Sequence, residues 1–162
     1  SITAIQSEYH IMHRNVEFSG VLKVCEELNI GFVPYSPLNR GFLGGAINEY
    51  TQFDPNNDNR QTLPRFQPNA IRANTKFVAT LDAFGRPRGL TSAQVALAWL
   101  LNKKPFIVPI PGTTKISHLE ENLRALNVKF SAKEMADLES EISKIKVVGS
   151  RYDALQESKI QK

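Results

Sequence analysis

Gly31-Phe32-Val33-Pro34-Tyr35-Ser36-Pro37-Leu38 reads as a short buried strand with a polar, aromatic exit, and Phe106-Ile107-Val108-Pro109-Ile110-Pro111-Gly112-Thr113-Thr114 repeats that pattern. A continuous apolar run bounded by turn residues suits a strand covered on both faces. Proline cannot donate to a ladder, so Pro34 is placed near the strand exit. Residues 2–9, with Ile2, Thr3, Ile5 and Tyr9, hold the β-favouring types of a further strand ahead of these two.

Between the strands the period changes. From Glu17 onward, Phe18, Val21, Leu22, Cys25 and Leu28 recur at helical spacing, with Asn29 as a left-handed cap. A helix over 69–84 is predicted from Ile71, Phe77, Val78, Leu81 and Phe84, ending at Gly85-Arg86-Pro87-Arg88-Gly89. Thr91 with Gln94 and Ser131 with Glu134 form capping boxes that open two more helices. The first runs from Val95 to Leu101 and is apolar nearly all round. The second carries Met135, Leu138, Ile142 and Ile145 on one face. Between them Ile116, Leu119, Leu123 and Leu126 make another stripe. Strands alternating with helices imply a parallel sheet built by right-handed crossovers.

Residues 38–74 are rich in Gly, Asn, Asp, Gln and Pro, and a connection of that length reads as a functional lid. The main body is therefore 1–148, with a polar, extended tail over 149–162. The chain opens on a strand without Met, as the later part of a longer protein would.

Composition narrows the classes of function. Net charge is +4, but basic and acidic residues are interspersed, which gives no stripe for nucleic acid. Every apolar run falls short of the about 20 residues needed to span a bilayer, and no secretory leader is visible. The single cysteine, Cys25, rules out an internal disulfide framework and fits a reducing cytoplasm. His10 and His13 lack a nearby third ligand, so no metal site is assigned.

In parallel α/β folds, ligands bind at the carboxyl ends of the strands. Here those ends are Gln6-Ser7-Glu8-Tyr9, Tyr35-Ser36-Pro37-Leu38 and Pro111-Gly112-Thr113-Thr114. They offer hydrogen-bonding groups and an aromatic face, which suits holding a ligand better than attacking one. At the third end, Gly112 admits close backbone approach, while Thr113, Thr114 and Lys115 precede a helix. That arrangement is either a phosphate cradle or an ordinary helix cap.

These three strings, with Arg40-Gly41-Phe42-Leu43, Ala96-Leu97-Ala98-Trp99-Leu100 and Leu119-Glu120-Glu121-Asn122-Leu123, resemble the aldo-keto reductase family in order and spacing. The resemblance runs from the first residues to about Tyr152 and implies the C-terminal part, about three βα units, of a (β/α)8 barrel, incomplete as a single chain. It further implies an NADP(H) cofactor. Gln6 would bind the nicotinamide amide and Tyr35 would stack on the ring. Ser36 and Leu38 would lie along the pyrophosphate, with Arg40 and Gly41 beside it. Gly112, Thr113 and Lys115 would meet the 2′-phosphate, and Glu121 and Asn122 the adenine. His118 stands where many relatives have arginine and cannot form the guanidinium fork.

The family's catalytic groups precede the Gln-x-Glu-Tyr strand, so no catalytic residue is assigned here. The partner expected for the parent reductase is a small carbonyl substrate. A non-catalytic cofactor-sensing or interaction module, as in channel β-subunits of the same fold, is the alternative. Open sheet edges would allow self-association.

Overall fold

The computed structural model describes residues 2–159. Strand β1 (Ala4–Glu8) pairs in parallel with β2 (Gly31–Tyr35), with Gln6 opposite Val33 and Glu8 opposite Tyr35. The crossover between them holds two short helices, α1 (Asn15–Phe18) and α2 (Val21–Glu27). The single helix expected from Glu17 is thus two, because Gly20 between them adopts φ 83°. Its apolar stripe also divides. Cys25 is buried, whereas Phe18 is 82% exposed and Leu28 lies in solvent. Asn29 takes the left-handed conformation expected of it, at φ 53°.

The third extended segment is not a full strand. It meets β2 through Phe32 N to Phe106 O (2.9 Å), Val108 N to Phe32 O (2.9 Å) and Ile110 N to Pro34 O (3.1 Å). The rung that should follow from residue 34 is missing, since Pro34 has no N–H. Parallel order of three segments survives, but only a single bridge, Phe32 to Ile107, is regular.

Residues 38–67 are ordered by their apolar side chains. Phe42, Leu43, Ile47, Leu63 and Phe66 are buried, and 3₁₀ turns form at Phe42–Gly44, Asn59–Thr62 and Pro64–Phe66. Helix α3 (Pro68–Gly85) follows and buries Ile71, Phe77 and Leu81. Both capping boxes form as the sequence implies. Thr91 and Gln94 open α4 (Ser92–Leu101), and Ser131 and Glu134 open α6 (Ala132–Ser143). Every residue of α4 from Ser92 to Leu100 is buried. Between them lies α5 (Ile116–Arg124), whose stripe of Ile116, Leu119 and Leu123 stays exposed, as does Leu126 just beyond it.

The tail is not simply extended. Asp153 accepts a hydrogen bond from Gln156 N at 2.8 Å and caps a final turn, α7 (Ala154–Glu157). The last three residues of the sequence-defined tail lie outside the described residues. Among the described residues no helix is long and apolar enough to cross a membrane.

Gly85, at the end of α3, shows how tightly α3 and α4 meet. A Cβ there would lie 2.6 Å from Leu90 O and 2.8 Å from Val95 Cγ2. Alanine should add about 1 kcal/mol of helix propensity. Steric displacement should outweigh that gain, so Gly85→Ala is expected to lower stability by roughly 1–3 kcal/mol in urea unfolding. A variant as stable as the parent chain would show that the contact relaxes freely.

Candidate functional site

The exit of β2 makes a turn in which three non-glycine residues sit in the left-handed region: Ser36 (φ 51°), Asn39 (48°) and Arg40 (54°), followed by Gly41 (89°). Such conformations persist only where neighbours impose them, and they cluster at ligand sites. The imposing groups are visible. Asn39 N bonds Ser36 O at 2.7 Å, and buried Asn39 Nδ2 reaches Met12 Sδ at 3.2 Å. Arg60 Nη1 donates to Arg40 O at 2.9 Å, while Asp58 holds the Arg60 guanidinium through Nε and Nη2. Arg60 also lies 4.8 Å over the Phe53 ring.

This turn faces residues 110–113 across a groove. One part, about 340 Å3, is lined by Ser36, Leu38, Arg40, Gly41 and Gly112 among others. The next, about 160 Å3, shares Leu38, Gly41 and Gly112 and adds Thr113, His118, Glu121 and Asn122. Nine of the twelve residues singled out from the sequence therefore line one continuous concavity. Gln6 is exposed on β1, Tyr35 is half-buried at the end of β2, and Lys115 is the N-cap residue of α5; none of these three lines it.

The far wall is held from behind by α4. Thr91 Oγ1 donates to Glu121 Oε1 at 2.6 Å, and Gln94 Nε2 donates to Glu121 O at 3.2 Å. Asn122 is only 8% exposed, yet its side-chain amide has no hydrogen-bond partner among the described residues and borders the groove. Thr113 Oγ1 accepts from Lys115 N at 3.1 Å, closing a small turn ahead of α5, whose N-cap has no side-chain bond. At Gly112 an added Cβ would meet nothing within 4 Å, so the backbone itself borders open space.

Tyr35 neighbours Tyr152 of the tail, and burial, that second phenol and the Glu8 carboxylate push its own phenol up to about 12. Arg40 and Arg151 both sit over the Tyr152 ring, at 5.7 and 4.7 Å. Tyr9 is fully buried and donates to Glu17 Oε1 at 2.5 Å, with its pKa raised by burial and by that carboxylate. Neither phenol is tuned to release a proton near neutral pH.

Behind β1 lies a cluster that sequence reading did not assemble. Buried Glu8 accepts from His10 Nε2 at 2.9 Å, and His10 Nδ1 accepts from Met12 N at 3.2 Å, which fixes a neutral imidazole. Glu8 Oε2 lies 3.2 Å from Arg151 Nε as an ion pair without hydrogen-bond alignment. Arg151 Nη1 meets His13 Nε2 at 2.7 Å. Arg60, Asn39, Arg65 and Arg151 were all missed: apart from Asp58 beside Arg60, the groups their side chains meet are distant in sequence, and no spacing announces them. Ala93, which lines the groove, reads from sequence only as part of the capping-box string Thr91-Ser92-Ala93-Gln94.

Burial holds both histidines below their ordinary 6.5, His13 at about 4, with Arg151 adding to the effect there. The unfolded chain protonates them near 6.5 while the folded chain does not, so the unfolded state binds more protons in that window. Stability is therefore expected to fall as pH drops from about 6.5 toward 4. Glu8, whose carboxyl is held below its ordinary value, adds to the loss at the acid end. Urea midpoints measured across this range should show the slope, and His13→Asn should flatten it; an unchanged slope would assign the loss to other groups.

A family model described as the aldo/keto reductase family matches residues 1–142. The chain is 39% identical over 151 residues to probable aldo-keto reductase 1 of Glycine max, covering 93% of this chain and 43% of that protein. It is 37% identical over 161 residues to aldo-keto reductase yakc [NADP(+)] of Schizosaccharomyces pombe, covering 98% and 47%. The chain thus spans less than half the length of these curated relatives.

Among solved structures, a thermostable aldo-keto reductase in complex with the inhibitor epalrestat superposes with TM-score 0.62 at 30% identity, over 87% of this chain and 40% of that one. A glycerol dehydrogenase from Gluconobacter oxydans gives 0.75 at 21% identity, over 88% and 42%. An aldo/keto reductase from Klebsiella pneumoniae in complex with NADP and acetate gives 0.60 at 22%, over 93% and 43%. The last two bear on fold alone. The shared architecture is the β/α barrel, of which the described residues hold a part with a small, open parallel sheet.

Proposed function

The chain belongs to the aldo/keto reductase family, and from that premise we propose that it is the cofactor-holding part of an NADP(H)-dependent reductase that converts a carbonyl to an alcohol. The observation that carries this reading is the groove running from Ser36 to Asn122, whose walls come from three separate stretches of sequence.

The residues fit an elongated dinucleotide. The Asn122 amide, without a hydrogen-bond partner among the described residues and bordering the groove, suits the edge of a purine, which would supply both a donor and an acceptor. Glu121 has one carboxylate oxygen bonded to Thr91 and keeps the other for an exocyclic amine. Gly112 lets a phosphate approach the backbone, and Lys115 and His118 stand at the same end. The strained Ser36–Gly41 turn presents its backbone to the pyrophosphate, with Arg60 and Asp58 keeping it rigid. Tyr35 on β2 and Gln6 on β1, two positions apart in the register, would take the nicotinamide ring and its amide.

When bound, the cofactor supplies the hydride. This chain's own residues would orient it. None of them is assigned as proton donor, because the family's catalytic groups precede the Gln6-Ser7-Glu8-Tyr9 strand. The uncovered stripe of Ile116, Leu119 and Leu123 is, in this reading, the face against which the further β/α units of the longer relatives pack. In this same reading the isolated chain binds cofactor without turnover.

Titrating the 162-residue chain with NADPH, followed by its fluorescence, should give saturable binding. Gly112→Val should leave urea stability within about 0.5 kcal/mol, since the fold leaves room there, yet weaken NADPH strongly by filling the groove. Asn122→Ala should cost about 1–2 kcal/mol of binding, roughly five- to thirtyfold. Absence of saturable NADPH binding, or indifference to both substitutions, would sink the reading.

A further inference from the structure

A second cavity, about 690 Å3, lies where the chain after Val148 returns past the loop following β1; His13, Asn15, Arg65, Ser150, Arg151 and Glu157 line it. Arg65 sits in the 3₁₀ turn Pro64–Phe66 and is only 8% exposed. No carboxylate among the described residues comes within ion-pair reach of it. Its Nε reaches Gly149 O only at 3.4 Å, and its Nη1 is buried without a partner.

A guanidinium taken out of water without a counter-charge is expensive, on the order of several kcal/mol. The neighbouring charges do not resolve this. Glu8, the one buried carboxylate among the described residues, is already shared between His10 and Arg151. Glu157, at the cavity wall, accepts from Tyr152 N at Oε1 (3.0 Å). Two guanidiniums and two carboxylates thus stand around the cavity, but both carboxylates are engaged elsewhere and neither reaches Arg65, whose open side is the cavity.

We infer that this cavity is a binding site for a small organic carboxylate, with Arg65 as its anchor and Arg151, Asn15 and Ser150 around it. The planar guanidinium fork matches the two oxygens of a carboxylate and forms short, charge-assisted bonds to it. A single negative charge suits the surroundings better than a phosphate dianion, because Glu8 and Glu157 lie close by. His13 stays neutral at pH 7 and contributes hydrogen bonding rather than charge. The site is separate from the groove at the strand ends and does not rest on the cofactor reading. It would stand if NADPH failed to bind.

The test uses the 162-residue chain at low ionic strength and neutral pH, with benzoate, its neutral twin benzamide, and inorganic phosphate as probes. Calorimetry and the 15N shift of the Arg65 Nε–H group are the readouts. Benzoate should bind saturably and move the Arg65 signal, benzamide should not bind, and phosphate should bind more weakly than benzoate. Arg65→Met should weaken benzoate roughly tenfold or more. Should that variant fold poorly, Glu157→Gln keeps the question open to refutation, since removing the nearby like charge must tighten benzoate. The assignment is overturned if benzoate does not saturate, if benzamide or phosphate matches it, if a folded Arg65→Met chain binds as before, or if Glu157→Gln brings no tightening.

Discussion

Trp99 has no solvent exposure, and four charged residues, from two other parts of the chain and from the turn just after its own helix, close around it. Its indole donates to Glu139 Oε1 at 2.9 Å, while Arg14 and Lys103 sit over the ring at 5.2 and 4.5 Å. Arg14 in turn binds Glu17 and Glu139, Lys103 binds Glu139, and the Tyr9 ring packs 5.3 Å from the indole. Half-buried ion pairs of this kind add little net stability by themselves. What they do here is fix orientation: the end of β1, α1, α4 and α6 are all referred to one side chain. Because α4 is placed this way, its first turn can reach Glu121, and the far wall of the groove inherits its position from the core.

The near wall has a different origin. It depends on a backbone turn that is unfavourable on its own, with Ser36, Asn39 and Arg40 all at positive φ. Each such residue costs of order 1–3 kcal/mol, and the cost is met by contacts that reach outward to Met12, Arg60 and Asp58. The 30 or so residues after β2 are thus part of the scaffold. Their polar composition hides the apolar residues that anchor them, Phe42, Leu43, Ile47, Leu63 and Phe66.

Much of this was legible in the sequence, for local reasons. Capping boxes are short-range hydrogen-bond patterns, and both formed at the residues that encode them. The parallel order of the strands followed from alternation, and the family resemblance located the residues that line the groove. What escaped was decided by partners far apart. Phe18 and Leu28 have the spacing of a buried stripe, but Gly20 breaks the helix and turns them outward. Residues 106–111 have a strand's composition, but ladder geometry depends on proline positions in two segments at once. The paired arginines at 65 and 151 carry no periodic signal at all. Their meeting is a product of the chain's return after Val148.

The hydrogen bonds of that third segment have a directional result. Its inward donors are Val108 and Ile110, so residues 107, 109 and 111 point their backbone groups away from β2. Ile107 N is taken by Lys104 O, and positions 109 and 111 are prolines. The outer border of the sheet therefore offers carbonyl oxygens and no spare amide hydrogens. A neighbouring strand can dock there only by giving every hydrogen itself, so this border cannot zip against the same border of a copy.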